Sequence, residues 1–208
     1  MLGPQRFCRL SMASMLVCAA ALLPGSAQPA EMQHVADPKG RFTINFPTDW
    51  RVVRSAEGMP AVLGAAPARA GEVPASVNVV VEDLPKALTA QGFAQAAGRL
   101  LRDTIQGFRP IQEGTTSSAG RPAYYRYYAW RANTGSAYYQ LQLYVTVQKR
   151  GFVVTGSTLY DAQRIRRDVP IIALILKSFR PTEVLGRTTS PGHHASAGSL
   201  DRMSPVRL

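Results

Sequence analysis

PAYYRYYAWRANTGSAYYQLQLYVTVQKRGFVVTGSTLY, residues 122–160, is the stretch that decides the fold of this 208-residue chain. Its apolar and aromatic runs are separated by Asn133-Thr134-Gly135 and by Lys149-Arg150-Gly151, which are short turn signals. Short turns make sequential strands antiparallel neighbours. The stretch therefore predicts three consecutive strands of an antiparallel meander.

The flanking sequence adds a fourth strand to the meander and a helix on each side of it. The predicted strands are Pro110–Ser118, Pro122–Ala132, Ala137–Gln148 and Phe152–Tyr160. Thr89 predicts the N-cap of a helix that continues to Gln106, with apolar residues at three- and four-residue spacing. A second amphipathic helix is predicted over Ala162–Phe179, and Pro170 either kinks it or marks its first turn.

The N-terminal part of the body predicts further strands. Apolar and polar residues alternate over Arg41–Phe46, which indicates a half-buried strand that ends at Pro47. Trp50–Val53 is predicted to return beside it as a hairpin. The β-branched run within Ser76–Asp83 predicts an interior strand.

Between these strands, Gly and Pro residues over 57–74 predict a long surface loop, with a possible short strand at 61–63. The order of elements predicts an α+β fold, with a mostly antiparallel sheet of about six to seven strands flanked by helices.

The first 27 residues have the pattern of a secretory signal peptide. Arg6 and Arg9 precede a short apolar run, and small residues follow it, so that cleavage is expected after Ala27 or Ala30. The run is too short for a membrane span, and no stable transmembrane segment is expected after cleavage. A lipid anchor at Cys18 is disfavoured, because Val17 stands where a lipoprotein signal has a small residue.

The expected organisation places one domain between two loose segments. Residues 28–39 are predicted to be a flexible N-terminus and residues 182–208 a disordered tail, because both are polar and poor in apolar side chains. The folded domain is predicted over residues 40–181. Localisation is expected to be periplasmic or secreted.

The chain carries 24 basic and 13 acidic residues, and loss of Arg6 and Arg9 leaves a net charge of +9. Such a charge favours anionic partners, either an envelope protein or an anionic envelope component. A genome-wide preference for arginine explains the same composition without any partner. Nucleic acid is not expected, because the chain is predicted to be exported and has no recognised nucleic-acid-binding motif. Oligomeric state does not follow from the sequence.

The predicted body holds few groups for catalysis. His34, His193 and His194 fall outside residues 41–181, and both cysteines fall within the signal peptide. This excludes Ser–His and Cys–His pairs and imidazole or thiolate metal sites from residues 41–181. No cofactor or metal is expected. The alternative is a carboxylate-dependent hydrolase of envelope polymers, in which Glu82, Asp83 or Asp161 would line a cleft.

Tyrosine, glutamine and arginine side chains concentrate on two strands of the meander. Along residues 138–148, Tyr139, Leu141, Leu143, Val145 and Val147 would face the core and the alternate residues would form an exposed flat face. Such side chains are enriched where proteins bind partners, although tyrosine also simply favours strands. The candidate binding residues are Arg126, Tyr128, Arg131, Gln140, Gln142 and Tyr144.

Three motifs resemble the PsbP-like family. They are GRFTINFPTDW at residues 40–50, Gly120-Arg121-Pro122-Ala123 before the tyrosine-rich strands, and Lys177-Ser178-Phe179-Arg180 at the last helix. The resemblance covers residues 40–181 and implies an antiparallel sheet between helices, with a binding or assembly role and no catalysis. The exported bacterial branch fits the signal peptide. The metal contacts of the family's photosystem subunits are not transferred, because the body has no histidine.

We therefore expect a non-catalytic exported binding module of the cell envelope. This interpretation has two alternatives, the carboxylate-dependent hydrolase and a secreted structural or host-facing factor.

Overall fold

The computed structural model describes residues 31–57, 59–68 and 70–182. Its elements are β1 Met32–Ala36, β2 Phe42–Pro47, β3 Arg51–Arg54, β4 Val62–Ala65, β5 Ser76–Asp83, α1 Ala90–Thr104, β6 Arg109–Ser118, β7 Arg121–Arg131, β8 Ala137–Val147, β9 Arg150–Leu159, α2 Ala162–Lys177 and β10 Arg180–Pro181. The predicted signal peptide, both cysteines, the tail histidines and residues 183–208 lie outside the described residues.

A seven-stranded antiparallel sheet forms the centre of the fold. Its strand order is β3-β4-β5-β9-β8-β7-β6. The β6-β7-β8-β9 meander confirms the four strands predicted from the sequence, with each end placed within two residues. In this part of the sheet, four residues on adjacent strands lie directly opposite one another: Glu113, Arg126, Gln142 and Thr155. Together with the two helices, this confirms the predicted α+β class.

A second sheet of three strands, in the order β1-β2-β10, corrects two predictions made from the sequence. Residues 28–39 are not loose throughout, because Met32–Ala36 is a strand that pairs with β2. This strand also includes His34. The predicted hairpin of β2 with β3 is wrong, since β3 pairs with β4 in the large sheet.

The chain turns between β2 and β3 and passes from one sheet to the other. The Trp50 backbone N–H donates to the Pro47 carbonyl at 3.0 Å, and the Trp50 ring lies 6.0 Å from the Phe46 ring. Both rings are buried in one core, so packing between the sheets replaces the expected strand pairing.

Helix α1 covers one face of the large sheet. Thr89 is its N-cap and accepts from the Gly92 N–H, as the sequence predicted. Phe93 packs edge-on against Tyr144 of β8, with ring centroids 5.7 Å apart. Gly107 follows the helix at φ +64°, a conformation that glycine adopts without steric cost.

Helix α2 and the small sheet cover the opposite face. Asp161 caps α2 through its carboxylate, which accepts from the Gln163 and Arg164 N–H groups at 3.0 Å. Pro170 therefore lies inside the helix and not in its first turn. The larger core forms here, where Ile172 of α2 packs directly over Gly156 of β9.

Candidate functional site

The face predicted to be open is covered by α1, and this corrects the expected binding surface. Buried side chains are Arg126, Tyr128, Gln142 and Tyr144, whereas Gln140 is half-buried and Arg131 is exposed. Polar residues that alternate along β7 and β8 therefore face a helix and not solvent. Small residues at Ala90, Ala94 and Gly98, spaced by four, were the signal in the sequence that a helix approaches the sheet closely here.

Arg126 lies at the centre of this covered face. Its Nε donates to Glu113 Oε2 at 2.7 Å, and its Nη1 donates to the Ala94 carbonyl of α1 at 3.0 Å. A Cβ on Gly98 would lie 2.6 Å from Nη1 of the same guanidinium. The hydrogen bond to Ala94 connects α1 to the sheet. Arg126 therefore stabilises the position of this helix.

The neighbouring polar groups are satisfied within the sheet. Tyr144 donates to Gln142 at 2.5 Å, and Gln142 donates to Thr155 at 3.2 Å. Tyr128 donates to Gln140. Burial raises the pKa of Tyr144 to about 12, and it raises the pKa of Tyr128 further, so both remain neutral donors at physiological pH.

The opposite face carries a row of aromatic side chains that remains partly open. Ring centroids are 5.1 Å apart between Tyr125 and Tyr127, 6.5 Å between Tyr127 and Tyr139, and 6.1 Å between Tyr139 and Tyr160. The first three rings are half-buried and Tyr160 is 43% exposed. The sequence placed Tyr139 among the core residues and did not identify this row.

Two of these tyrosines, Tyr125 and Tyr127, line a cavity beside α2, and we call the row of four tyrosines together with this cavity the tyrosine groove. Leu141 and Leu143 of β8 contribute to its lining, and Ala173 and Leu176 of α2 contribute to one side. The cavity at the end of the groove measures about 200 Å³. The rest of its lining consists of polar residues, Thr116, Ser117, Ser118, Gln142 and Lys177. The surface is therefore mixed, with aromatic and apolar side chains surrounded by hydroxyl donors and acceptors.

The phenol groups of Tyr127 and Tyr139 stay neutral at physiological pH. Burial raises the pKa of Tyr127 and of Tyr139, and neighbouring tyrosines raise both further. The Tyr125 hydroxyl accepts from Gln112 Nε2 at 3.0 Å. Neutral phenols can donate and accept hydrogen bonds while their rings offer apolar contact area, which suits ligand binding better than proton transfer.

Arginine side chains lie at the other end of the row. Arg109 Nη2 donates to the Tyr160 hydroxyl at 2.7 Å, and its Cζ lies 5.3 Å from the centroid of that ring. Arg109, Tyr160 and Arg131 line one cavity of about 280 Å³. Arg131 is the one predicted binding residue that is exposed, and its Nη1 donates to the Gly135 carbonyl at 2.9 Å.

The three carboxylates proposed for a hydrolase do not converge. Asp83 pairs in register with Arg150 at the beginning of β9, whereas Asp161 follows the end of the same strand and caps α2. Ten strand residues separate these positions, about 33 Å of extended chain. Glu82 precedes Asp83 on β5 and is exposed. Within the part of the chain that the structure describes, no group of three metal-ligating side chains is found.

None of the helices among the described residues is long and apolar enough to cross a membrane.

Comparison with solved structures shows which fold this is. No protein-family model matches the chain, and no curated protein is similar to it at a significant level. Among solved structures, the cyanobacterial PsbP (CyanoP) from Synechocystis sp. PCC 6803 is similar, with a TM-score of 0.56 and 17% identity. The match covers 76% of this chain and 96% of that protein.

Two further structures have the same architecture. LpqN of Mycobacterium tuberculosis, which is involved in cell envelope biogenesis, matches with a TM-score of 0.53 and 15% identity, over 74% of this chain and 91% of that one. The Ran-binding protein Mog1p of Saccharomyces cerevisiae matches with a TM-score of 0.52 and 10% identity, over 74% and 96% respectively. At these identities the similarity establishes a PsbP-like fold, which confirms the fold that the motifs implied.

Proposed function

We propose that this protein is an exported, non-catalytic binding module of the cell envelope that holds its ligand in the tyrosine groove. The observation that carries the proposal is the row of four partly open tyrosines beside α2. Aromatic side chains supply large contact areas at low entropic cost, which is why they dominate binding surfaces. Half-exposed rings in a row offer such a surface to an extended ligand.

Several properties of the chain support this reading. The N-terminal pattern of residues 1–27 is typical of export, and the net charge of +9 after its removal favours anionic components. Mog1p binds Ran and LpqN takes part in envelope biogenesis, so the PsbP-like fold serves as a scaffold for such roles elsewhere. Among the described residues, His34 is the only histidine and there is no cysteine, so a Ser–His or Cys–His catalytic pair could be built only on His34.

The proposed surface differs from the one predicted from the sequence. Arg126 and Tyr144 contact α1, and Tyr128 and Gln142 are buried on the same face, so we assign all four to stability. Arg131 keeps a proposed binding role, because it is exposed at the end of the row.

Co-sedimentation with an isolated cell-envelope fraction tests the proposal. Wild-type chain is expected to sediment with the envelope, and Tyr127→Leu together with Tyr125→Ala is expected to leave it in the supernatant. Tyr138→Ala is the matched control, because Tyr138 is also half-buried and stacks on an aromatic ring, but on the opposite face of the sheet. Thermal unfolding of each variant verifies that it is folded. Equal sedimentation of all folded variants would contradict the proposed site.

A further inference from the structure

The two cavities, one beside α2 and one at the Tyr160 end of the tyrosine row, point to the chemical class of the ligand. We propose that the groove binds an acidic polysaccharide, with sugar rings on the tyrosines and a carboxylate of the chain at Arg109 and Arg131. This inference rests on the proposed function and deepens it.

The first argument is charge. Arg109 and Arg131 line the same cavity, and the acceptors recorded for their guanidinium groups are a phenol and a backbone carbonyl, both neutral. Among the described residues, no carboxylate forms an ion pair with either guanidinium. Lys177 adds a third cation at the other end of the groove. A ligand with carboxylates would neutralise these charges, and arginine binds a carboxylate with two parallel hydrogen bonds.

The second argument concerns the backbone beneath the groove, and it favours a glycan over a peptide. The groove lies on β7 and β8, and both strands have a hydrogen-bonded neighbour on each side. Their backbone groups are already paired, so an extended peptide laid on this face would find few main-chain partners. Sugar rings need none, because their C–H faces pack on aromatic rings and their hydroxyls can bond to phenols and to the exposed Thr116.

The third argument is depth, and it disfavours a lipid. The two cavities measure about 200 and 280 Å³, and their linings include hydroxyl, lysine and arginine side chains. Drug-sized ligands already occupy about 300–1,000 Å³ in enclosed, mostly apolar pockets. An acyl chain would therefore remain largely in water here.

Isothermal titration of the full mature chain tests the inference with three probes. They are polygalacturonate oligomers, the same oligomers after carboxyl reduction, and poly-L-glutamate. Polygalacturonate is expected to bind about tenfold or more tightly than the reduced, neutral oligomers, because charge-assisted contacts are lost on reduction.

Two arginine variants localise the effect. Arg131→Gln is expected to weaken polygalacturonate binding by about tenfold and to leave binding of the neutral oligomers unchanged. Arg99→Gln removes the same charge from an exposed position on α1, on the other face of the sheet, and is expected to have no effect. Equal losses in both variants would overturn the assigned site, because they would indicate a general charge effect.

The remaining outcomes separate this inference from the proposed function. Poly-L-glutamate binding as tightly as polygalacturonate would overturn the polysaccharide assignment in favour of an acidic peptide. Failure of polygalacturonate to bind, while envelope sedimentation still depends on Tyr127, would overturn the ligand class but leave the binding function standing. Envelope sedimentation that does not change when Tyr127 is substituted would overturn the proposed binding function itself.

Discussion

At the scale of single residues, Arg126 determines how the two sides of the molecule differ. Its guanidinium is 3% exposed and bonds to a carboxylate on β6 and to a carbonyl on α1. A buried charge is tolerated only when its donors are paired, and removing one partner leaves the others unsatisfied. The contacts of Arg126 therefore stabilise the position of α1 and leave this face unavailable to a ligand.

Substitution of Arg126 tests that assignment. Arg126→Ala is expected to lower the free energy of unfolding by about 2–4 kcal/mol, because it removes the buried charged hydrogen bonds to Glu113 and to the Ala94 carbonyl. Urea unfolding measures the change, with Arg99→Ala, the substitution of an exposed arginine on α1, as the control. Unchanged stability combined with weaker envelope binding would instead favour the role predicted from the sequence.

The residue pattern could not distinguish a covered polar face from an open one. Gln140, Gln142 and Tyr144 alternate with apolar residues as they would on a solvent-exposed strand. Gln142 donates to Thr155 on another strand, and the helix that covers this face lies far away in the sequence, so periodicity reports neither contact. Tyr139 lies on the apolar face as predicted and packs against the core, but its ring is only half-buried.

At the scale of elements, the turn between β1 and β2 depends on one carboxylate. Asp37 accepts from the Arg41 backbone N–H at 3.0 Å, from Nε at 2.7 Å and from Nη2 at 2.9 Å. Burial alone would raise the pKa of Asp37, but the hydrogen bonds and charge of Arg41 outweigh it and lower the pKa below its ordinary value.

This carboxylate predicts a pH dependence of stability. A lowered pKa in the folded state stabilises the fold above the unfolded pKa, about 3.9, and the contribution is lost as pH falls through the folded value. Asp37→Asn is expected to cost about 1–3 kcal/mol at neutral pH and progressively less in acid below the unfolded pKa. Urea unfolding at neutral and at acidic pH checks this. A cost that stays constant across that range would contradict the assignment.

The approach of α2 to the sheet depends on the absence of a side chain at Gly156. A Cβ there would lie 2.1 Å from Ile172 Cγ2, and both residues are buried. Gly156→Ala is expected to destabilise the fold by about 1–3 kcal/mol through overpacking. In a double-mutant cycle with Ile172→Ala, the combined loss is expected to be smaller than the sum of the single losses. Additive losses in the free energy of unfolding would show that the side chains at positions 156 and 172 do not contact each other.

Elements were predictable from the sequence where their signal is local. Short turns in the meander and the Thr89 cap specified strands β6 to β9 and helix α1. Strand β1 was missed because Met32–Ala36 has no clear alternation and is fixed by pairing with β2. Whether β2 pairs with β3 or with β1 depends on contacts between the two sheets, which no short stretch of sequence contains.

At the scale of the whole molecule, charge and the N-terminal pattern determine where we expect the protein to act. Fractionation of cells that express the full chain is expected to place it in the periplasm or the medium, with a mature N-terminus at Gln28 or Glu31 by mass spectrometry. A chain in the cytoplasm that retains residues 1–27 would contradict export.

The central claim is that ligand binding takes place in the tyrosine groove and not on the face below α1. A photo-crosslinking amino acid introduced at position 127, and in a separate chain at position 138, tests this in intact cells. Both positions are half-buried tyrosines on adjacent strands, and their side chains lie on opposite faces of the sheet. We predict discrete crosslinked products from position 127 and none from position 138. Products from position 138 alone, or from neither position, would contradict the account.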